Sequence, residues 1–150
     1  MVDRDSERLN RELIELLNEL RVALPGVQVL FAFLLAVPFT PRFKDVTTAE
    51  KWAFFASFLC TAAASVLLIA PSAYHRLRWR EHDKEHLLEI ANRLTIAGLS
   101  FLALAMTGVV FLITELLFGL DSAVPITVAA AASFGWFWYV LPLLRGLRSR

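Results

Sequence analysis

Gln28 is the residue of this sequence best placed to do chemistry, because it lies in a long run of almost entirely apolar residues. Its amide both donates and accepts hydrogen bonds, and in hydrocarbon such a group is costly unless it has a partner. Phe31, Leu35 and Phe39 follow Gln28 at helical spacing. Several copies of this segment around an axis would form an amide ring with hydrophobic constrictions beyond it, as in a gated ion path. The alternative is a hydrogen bond that holds a helix bundle together.

Charged residues stand beside the apolar runs. Glu19 and Arg21 precede the first run, and Arg93 immediately precedes the third. Both groups should lie at the same membrane surface, which predicts an ion pair between Glu19 and Arg93. The pair would clamp the N-terminal helix to the bundle, or the charges would form a vestibule. Glu115 is the only acid at the other end of a run, where it would bind a cation or proton, or would simply be solvated.

Histidine is confined to one connection, in which His82 and His86 stand four residues apart beside Asp83. Two imidazoles at this spacing with a carboxylate are weak candidates for a zinc site, because the sequence has no second ligand cluster. Haem is not expected either, since no histidine lies in an apolar run. We therefore predict no metal and no other cofactor. The sequence also lacks nucleotide-binding loops and recognisable catalytic motifs, which predicts that the protein is not an enzyme.

The composition restricts the elements that must position these residues. Of the 150 residues, 57% are hydrophobic and 19% charged, whereas a soluble domain has roughly 45–50% and about 25%. Four uncharged runs are long enough to cross a hydrocarbon core as helices; they are 22–41, 52–73, 94–114 and 123–144. We predict an all-α integral membrane protein, a single four-helix domain in the lipid bilayer. The net charge of +1 gives no basic field for nucleic acid.

The distribution of lysine and arginine predicts the orientation of these helices. Of the 15 basic residues, only Arg42, Lys44 and Lys51 fall in the first connection, and none falls in the third. The others lie before the first run, between the second and third runs, and in the C-terminal tail. Because cytoplasmic segments collect Lys and Arg, both termini and the middle connection are expected in the cytoplasm.

An amphipathic helix is predicted before the first run, within residues 1–24. Its apolar stripe includes Leu9, Leu13, Leu16 and Leu20. We expect this stripe to pack on protein, either within the chain or on a second subunit, because its acids would be repelled by an anionic membrane surface. The run 87–94 extends the third helix into the cytoplasm and offers a surface for the stripe. Pro25-Gly26 predicts a kink or break where the chain enters the bilayer.

Helix ends and a small-residue stripe complete the pattern. Thr47-Thr48-Ala49-Glu50 fits a capping box, which predicts a helix start near Thr48. The turn into the third helix is predicted near 81–83 with Asp83 as its N-cap. Gly119 should end that helix, with Asp121 or Ser122 capping the fourth and Pro125 in its first turn. Small residues at steps of four on the second helix predict close packing, or else a polar stripe along a pore; they are Ala53, Ser57, Thr61 and Ser65.

Four segments stand out in the sequence: 15–35, Phe39-Thr-Pro-Arg-Phe, Ile69-Ala-Pro-Ser-Ala-Tyr-His-Arg and Ala91-Asn-Arg-Leu. With these segments the chain resembles, over nearly its whole length, a family of short four-span bacterial membrane proteins of unknown function. This resemblance implies the same four-span architecture in a bacterial plasma membrane. Some members of that family are labelled sodium:proton antiporters, so the resemblance also implies that activity as an alternative.

Three classes of function follow from these observations. A four-helix protomer fills its interior with side chains, so a conduction path would need several subunits around an axis. We therefore expect a homo-oligomer that conducts or transports a small inorganic ion, a cation or a proton. The alternatives are a non-catalytic accessory or scaffold subunit of a membrane complex, and a membrane enzyme, which would need an unfamiliar site. The antiporter that the resemblance implies is a further alternative within the transport class.

Overall fold

The computed structural model describes residues 2–77 and 84–148, and its regular elements are all helical. Five α-helices follow one another: α1 (Val2–Ala36), α2 (Thr48–Leu77), α3 (Lys84–Phe118), α4 (Leu120–Gly135) and α5 (Leu141–Arg148). Two 3-10 turns, Val37–Phe39 and Pro41–Lys44, form part of the α1–α2 connection, and a π-helical segment, Trp136–Val140, joins α4 to α5. The predicted turn at 81–83, with Asp83, lies outside the described residues.

Four stretches are long and apolar enough to span a membrane, as the sequence predicted. They are Arg11–Phe39, Thr48–Tyr74, Leu88–Phe118 and Leu120–Leu144. Each is longer than the uncharged run from which it was predicted, because the helices continue into their charged flanks. The N-terminal amphipathic segment is thus the first part of α1 and not a separate helix.

The predicted break at Pro25-Gly26 does not occur, and α1 runs through both residues. Proline removes one backbone hydrogen bond from a helix, which by itself favours an interruption. Leu20 and Val27 are both buried, however, and they belong to one core cluster with residues of α2 and α3. Because packing fixes the helix on both sides of Pro25, one lost hydrogen bond does not divide it.

The start of α2 is the predicted capping box. The backbone N–H of Thr47 donates to the Glu50 carboxylate, and the backbone N–H of Glu50 donates to the Thr47 hydroxyl. Both bonds satisfy amides that the first turn of a helix leaves without partners. The helix accordingly begins at Thr48.

The small residues of α2 pack closely on α3, which confirms the packing interpretation of the stripe. Ser57 and Thr61 are buried. A Cβ added to Gly108 of α3 would lie only 2.1 Å from the Ser57 hydroxyl, and one added to Gly98 would lie 2.8 Å from Leu68. Glycine at these two positions therefore permits the close approach of α2 and α3.

The main hydrophobic core lies among the first three long helices. It consists of Leu20 and Val27 of α1, Ala64 and Leu68 of α2, and Leu102 of α3. Leucines of the N-terminal half of α1 pack against this cluster, so the stripe packs within the chain, as predicted. That contact is what anchors the amphipathic end of α1.

A single residue, Gly119, joins α3 to α4. Its φ of 81° lies in the left-handed region that favours glycine, as expected for a helix end. Gly119 is also the N-cap of α4, and no side chain caps that helix. The capping role predicted for Asp121 or Ser122 is therefore wrong, because the reversal within one residue puts both inside the first turn. Pro125 consequently lies in the second turn.

The last long helix is peripheral. Among the described elements, α4 packs against α3 alone, and within α4 only Ala123 is buried. The π-helical segment restores contact with the rest of the protein. Trp138 packs against the core cluster, and the Tyr139 hydroxyl lies 2.7 Å from the Ser100 hydroxyl of α3. Because Ser100 donates its one proton to the Ile96 carbonyl, Tyr139 is the donor of this bond.

Candidate functional site

The face of α1 that carries Gln28 points away from the rest of the chain. Leu13, Leu20, Val27 and Leu34 are buried and recur every seven residues, which places them on one side of the helix. Gln28, Leu35 and Phe39 are all exposed. Gln28 and Leu35 stand seven residues apart in α1, so they share a second face, and Phe39 follows in the 3-10 turn after α1. We call these three exposed residues, Gln28, Leu35 and Phe39, the amide face.

The amide of Gln28 has no hydrogen-bond partner within the described chain. It lies inside the candidate span Arg11–Phe39, one residue after the buried Val27. A polar side chain that lies in hydrocarbon is costly unless it has a partner. The hydrogen bond to another helix, which was the alternative interpretation of Gln28, is not present among the described residues.

Phe31 does not belong to the amide face, although sequence spacing placed it with Gln28. Its ring stacks on the ring of Phe58 of α2, with centroids 5.1 Å apart and an interplanar angle of 18°. Residues three apart on a helix differ by about 60° in direction, since a full turn takes 3.6 residues. That difference is enough to turn Phe31 into the α1–α2 interface while Gln28 stays outside.

The predicted ion pair between Glu19 and Arg93 is not formed within the chain. Arg93 instead bonds to Glu89 of its own helix at 2.6 Å, while Glu19 and Arg21 are exposed. Glu89 stands four residues before Arg93, and a carboxylate at that spacing reaches a guanidinium without any tertiary contact. Arg93 therefore pairs with Glu89 of its own helix and not with Glu19, and these charges do not link α1 to α3.

Glu115 lies on a different helix from Gln28, one turn before the end of α3. Its side chain is half-buried, and its backbone carbonyl accepts the N–H of Gly119 at 2.9 Å. The structure thus distributes the candidate path residues over two helices and does not gather them into one cavity.

The histidine candidates are split by the limit of the described residues. His86 is exposed on α3, and His82 lies outside the described residues. Within residues 2–77 and 84–148, no group of three His, Cys, Asp or Glu side chains is placed to hold a metal ion.

A groove between α1 and α3 is a feature that sequence reasoning missed. It has a volume of about 750 Å³ and an apolar floor that includes Leu9, Leu16 and Leu88. Its polar lining includes Arg8 and Glu12, which pair at 2.8 Å, and Asn92. The sequence predicted that these two segments face each other, but spacing alone gives no distance between helices, so the opening was not foreseen.

Comparison with known proteins adds a family and nothing more specific. The model of a family of unknown function, DUF6328, matches residues 3–142. No curated protein and no solved structure matches the chain.

Proposed function

The chain belongs to the DUF6328 family, and we propose that it forms a homo-oligomer that conducts a small cation or a proton along a path between its subunits. The proposed setting is a bacterial plasma membrane, with four spans and both termini in the cytoplasm. The orientation follows from the excess of Lys and Arg before the first span, between the second and third, and in the tail.

The observation that carries this proposal is the exposed, unpartnered amide of Gln28 within a candidate span. A carboxamide has both donors and an acceptor, so identical copies around an axis can each donate to one neighbour and accept from the other. Such a ring satisfies every copy without any other residue type. It also places a polar constriction on the axis, where a dehydrating ion could exchange water for amide oxygens.

The packing within one protomer supports a path between subunits. The hydroxyls of Ser57, Thr61 and Ser65 each donate to a carbonyl of their own helix. The same stripe packs against α3, with Ser57 directly beside Gly108. This interface leaves no room for a row of water molecules, so the stripe does not support a pore through the protomer.

The remainder of the amide face supplies an apolar constriction. Leu35 lies two turns beyond Gln28 on the same face of α1, Phe39 follows in the 3-10 turn after α1, and both are exposed. Rings of such side chains gate channels by dewetting. Phe31 has no part in this gate because it packs on Phe58. Glu19 and Glu115 stay candidates for the two ends of the path.

The test is ion flux into liposomes that contain the purified protein, measured with and without a pH gradient. Gln28→Leu should suppress flux while the oligomer persists, because an apolar ring favours dewetting. Gln28→Asn keeps the amide and should retain part of the flux. Val29→Leu is the matched control, since Val29 is the exposed neighbour of Gln28 on another face of α1.

Two results would contradict the proposal. Absence of flux from wild-type oligomers would exclude conduction. Unchanged flux per oligomer in Gln28→Leu, together with a loss of stability of roughly 0.6–2 kcal/mol, would assign Gln28 to packing between subunits alone.

A non-catalytic scaffold subunit is the second candidate, favoured by the groove between α1 and α3. Its apolar floor and charged lining suit a segment of another protein. Antiport of sodium and protons stays a prediction from the resemblance, and the flux measurement under a pH gradient tests it directly.

A further inference from the structure

A second cavity lies under the α1–α2 connection, and neither the ion path nor the groove uses it. Its volume is about 240 Å³. Helices α1, α2 and α3 form its walls through Leu34, Phe54, Val109 and Leu112, and Phe43 of the connection closes one side. Phe43 packs edge-on against Phe54, with ring centroids 5.1 Å apart. We call this space the connection cavity.

The polar groups of the connection cavity are already bonded to the protein. The Thr40 hydroxyl donates to the Val37 carbonyl at 2.7 Å. The Glu50 carboxylate accepts the Thr47 N–H in the capping box. A buried water needs two to four polar partners, and enclosed apolar cavities stay dry and bind apolar molecules. The connection cavity is open on one side but has a similarly apolar lining. The cavity is therefore suited to a hydrocarbon ligand.

The exposed lining residues indicate where such a ligand enters. Phe33 of α1 and Ile113 and Leu116 of α3 line the cavity and are also exposed on the outside of the chain. All three fall within candidate membrane spans. In a bilayer this opening would face hydrocarbon, so the surrounding lipid is the ligand source with direct access.

We propose that the connection cavity binds the acyl chain of a membrane lipid. A cavity of about 150 Å³ is enough to hold benzene, and the connection cavity is larger. The acyl chain enters past Phe33 and Leu116, and its end lies against Leu34 and Val109. This lipid site does not depend on the proposed conduction, because none of its residues lies on the amide face.

Photolabelling tests the site in the full-length chain. The protein is reconstituted in phosphatidylcholine vesicles that contain a fraction of phosphatidylcholine with a diazirine in one acyl chain, and labelled residues are mapped by mass spectrometry. Leu34 is 2% exposed and Val27 is 0% exposed, on the same face of α1, but only Leu34 lines the cavity. We expect label on Leu34 several-fold above that on Val27.

A second experiment fills the connection cavity with a larger side chain. Val109→Trp should reduce the label on Leu34 several-fold and leave the label on the exposed residues of α4 unchanged. Val128→Trp on the exposed face of α4 is the control of equal size. Leu112→Phe serves the same purpose with a smaller change in volume if Val109→Trp does not assemble.

The proposal is wrong if Leu34 is labelled no more than Val27 while Phe33 is labelled. That result would mean that protein from a second copy fills the cavity or that it stays empty. Label on Leu34 that survives both filling variants would also overturn it. Ion flux is not part of either readout. Failure of the conduction proposal would therefore not contradict the lipid site, and failure of the lipid site would not contradict conduction.

Discussion

Ser57 and Gly108 determine how closely α2 and α3 approach, and they do so through single atoms. The Ser57 hydroxyl donates to the Ala53 carbonyl at 2.9 Å and points its oxygen at the space where Gly108 has no Cβ. In lipid, such close backbone approach is a principal source of helix association, since lipid tails are as apolar as leucine. A single methyl group at Gly108 is therefore a strong test of the packing.

Gly108→Ala should destabilise the protein by about 1–3 kcal/mol, the usual cost of overpacking a tight interface. Gly26→Ala is the matched control, because Gly26 is also within a helix but a Cβ there meets nothing within 4 Å. That change should be neutral or stabilising by up to about 1 kcal/mol, from the higher helix propensity of alanine. The measurement is thermal unfolding of the purified protein in detergent.

A double variant identifies the contact responsible. Ser57→Ala removes the oxygen that lies 2.1 Å from the added methyl group and leaves the Ser57 Cβ at 3.3 Å. Added to Gly108→Ala, it should recover part of the lost stability. Equal stability of Gly108→Ala and Gly26→Ala would contradict the close packing of α2 on α3.

At the scale of elements, α1 shows what sequence periodicity can and cannot predict. The recurrence of leucine predicted both the helix and its packing on protein, because burial follows directly from an apolar stripe. Of the predicted kink or break at Pro25-Gly26, the break does not occur, and Phe31 does not share the exposed face of Gln28. Proline propensity is local and was overridden by buried residues on either side, and the 60° between Phe31 and Gln28 matters only once the position of α2 is known.

The predicted ion pair between Glu19 and Arg93 is not formed, for a related reason. The sequence predicts that Glu19 and Arg93 lie at the same membrane surface, but it does not give their separation across the bundle. Glu89 is within reach of Arg93 in any helix of this sequence. The capping box of Thr47 and Glu50 was predicted correctly because it needs no information beyond four consecutive residues.

Leu13→Asp is expected to destabilise the protein by several kcal/mol, because it buries a charge with no partner. Leu13 is 8% exposed, whereas its neighbour Ile14 is 57% exposed, so Ile14→Asp is the control. That control should leave stability nearly unchanged. Chemical denaturation of both variants in the same detergent provides the comparison, and equal stabilities would show that the N-terminal half of α1 is not anchored to the core.

At the scale of the molecule, α3 is the central helix, since it packs on α1, α2 and α4. The connections differ in charge and length. The α1–α2 connection exposes Lys44, and Lys51 is exposed in the first turn of α2, whereas Gly119 alone joins α3 to α4. The proposed topology places both of these connections on the same side of the membrane, opposite the termini.

Thiol labelling tests that topology in a Cys60→Ala background, because Cys60 is the only native cysteine. Cysteine at Thr40 or Ser122 should react with a membrane-impermeant maleimide in intact cells. Cysteine at Ser149 should react only after permeabilisation. Protection of the Ser122 position in intact cells would refute the orientation.

The peripheral position of α4 has a consequence for the order in which the protein assembles. Its backbone packs on α3 alone, and its link to that helix is one residue. The core cluster draws on residues 20 to 102, so it can be complete while residues 120–148 are still being synthesised. Trp138 packs against this cluster from the segment after α4, so its contact with the core forms after the residues of the cluster have been synthesised.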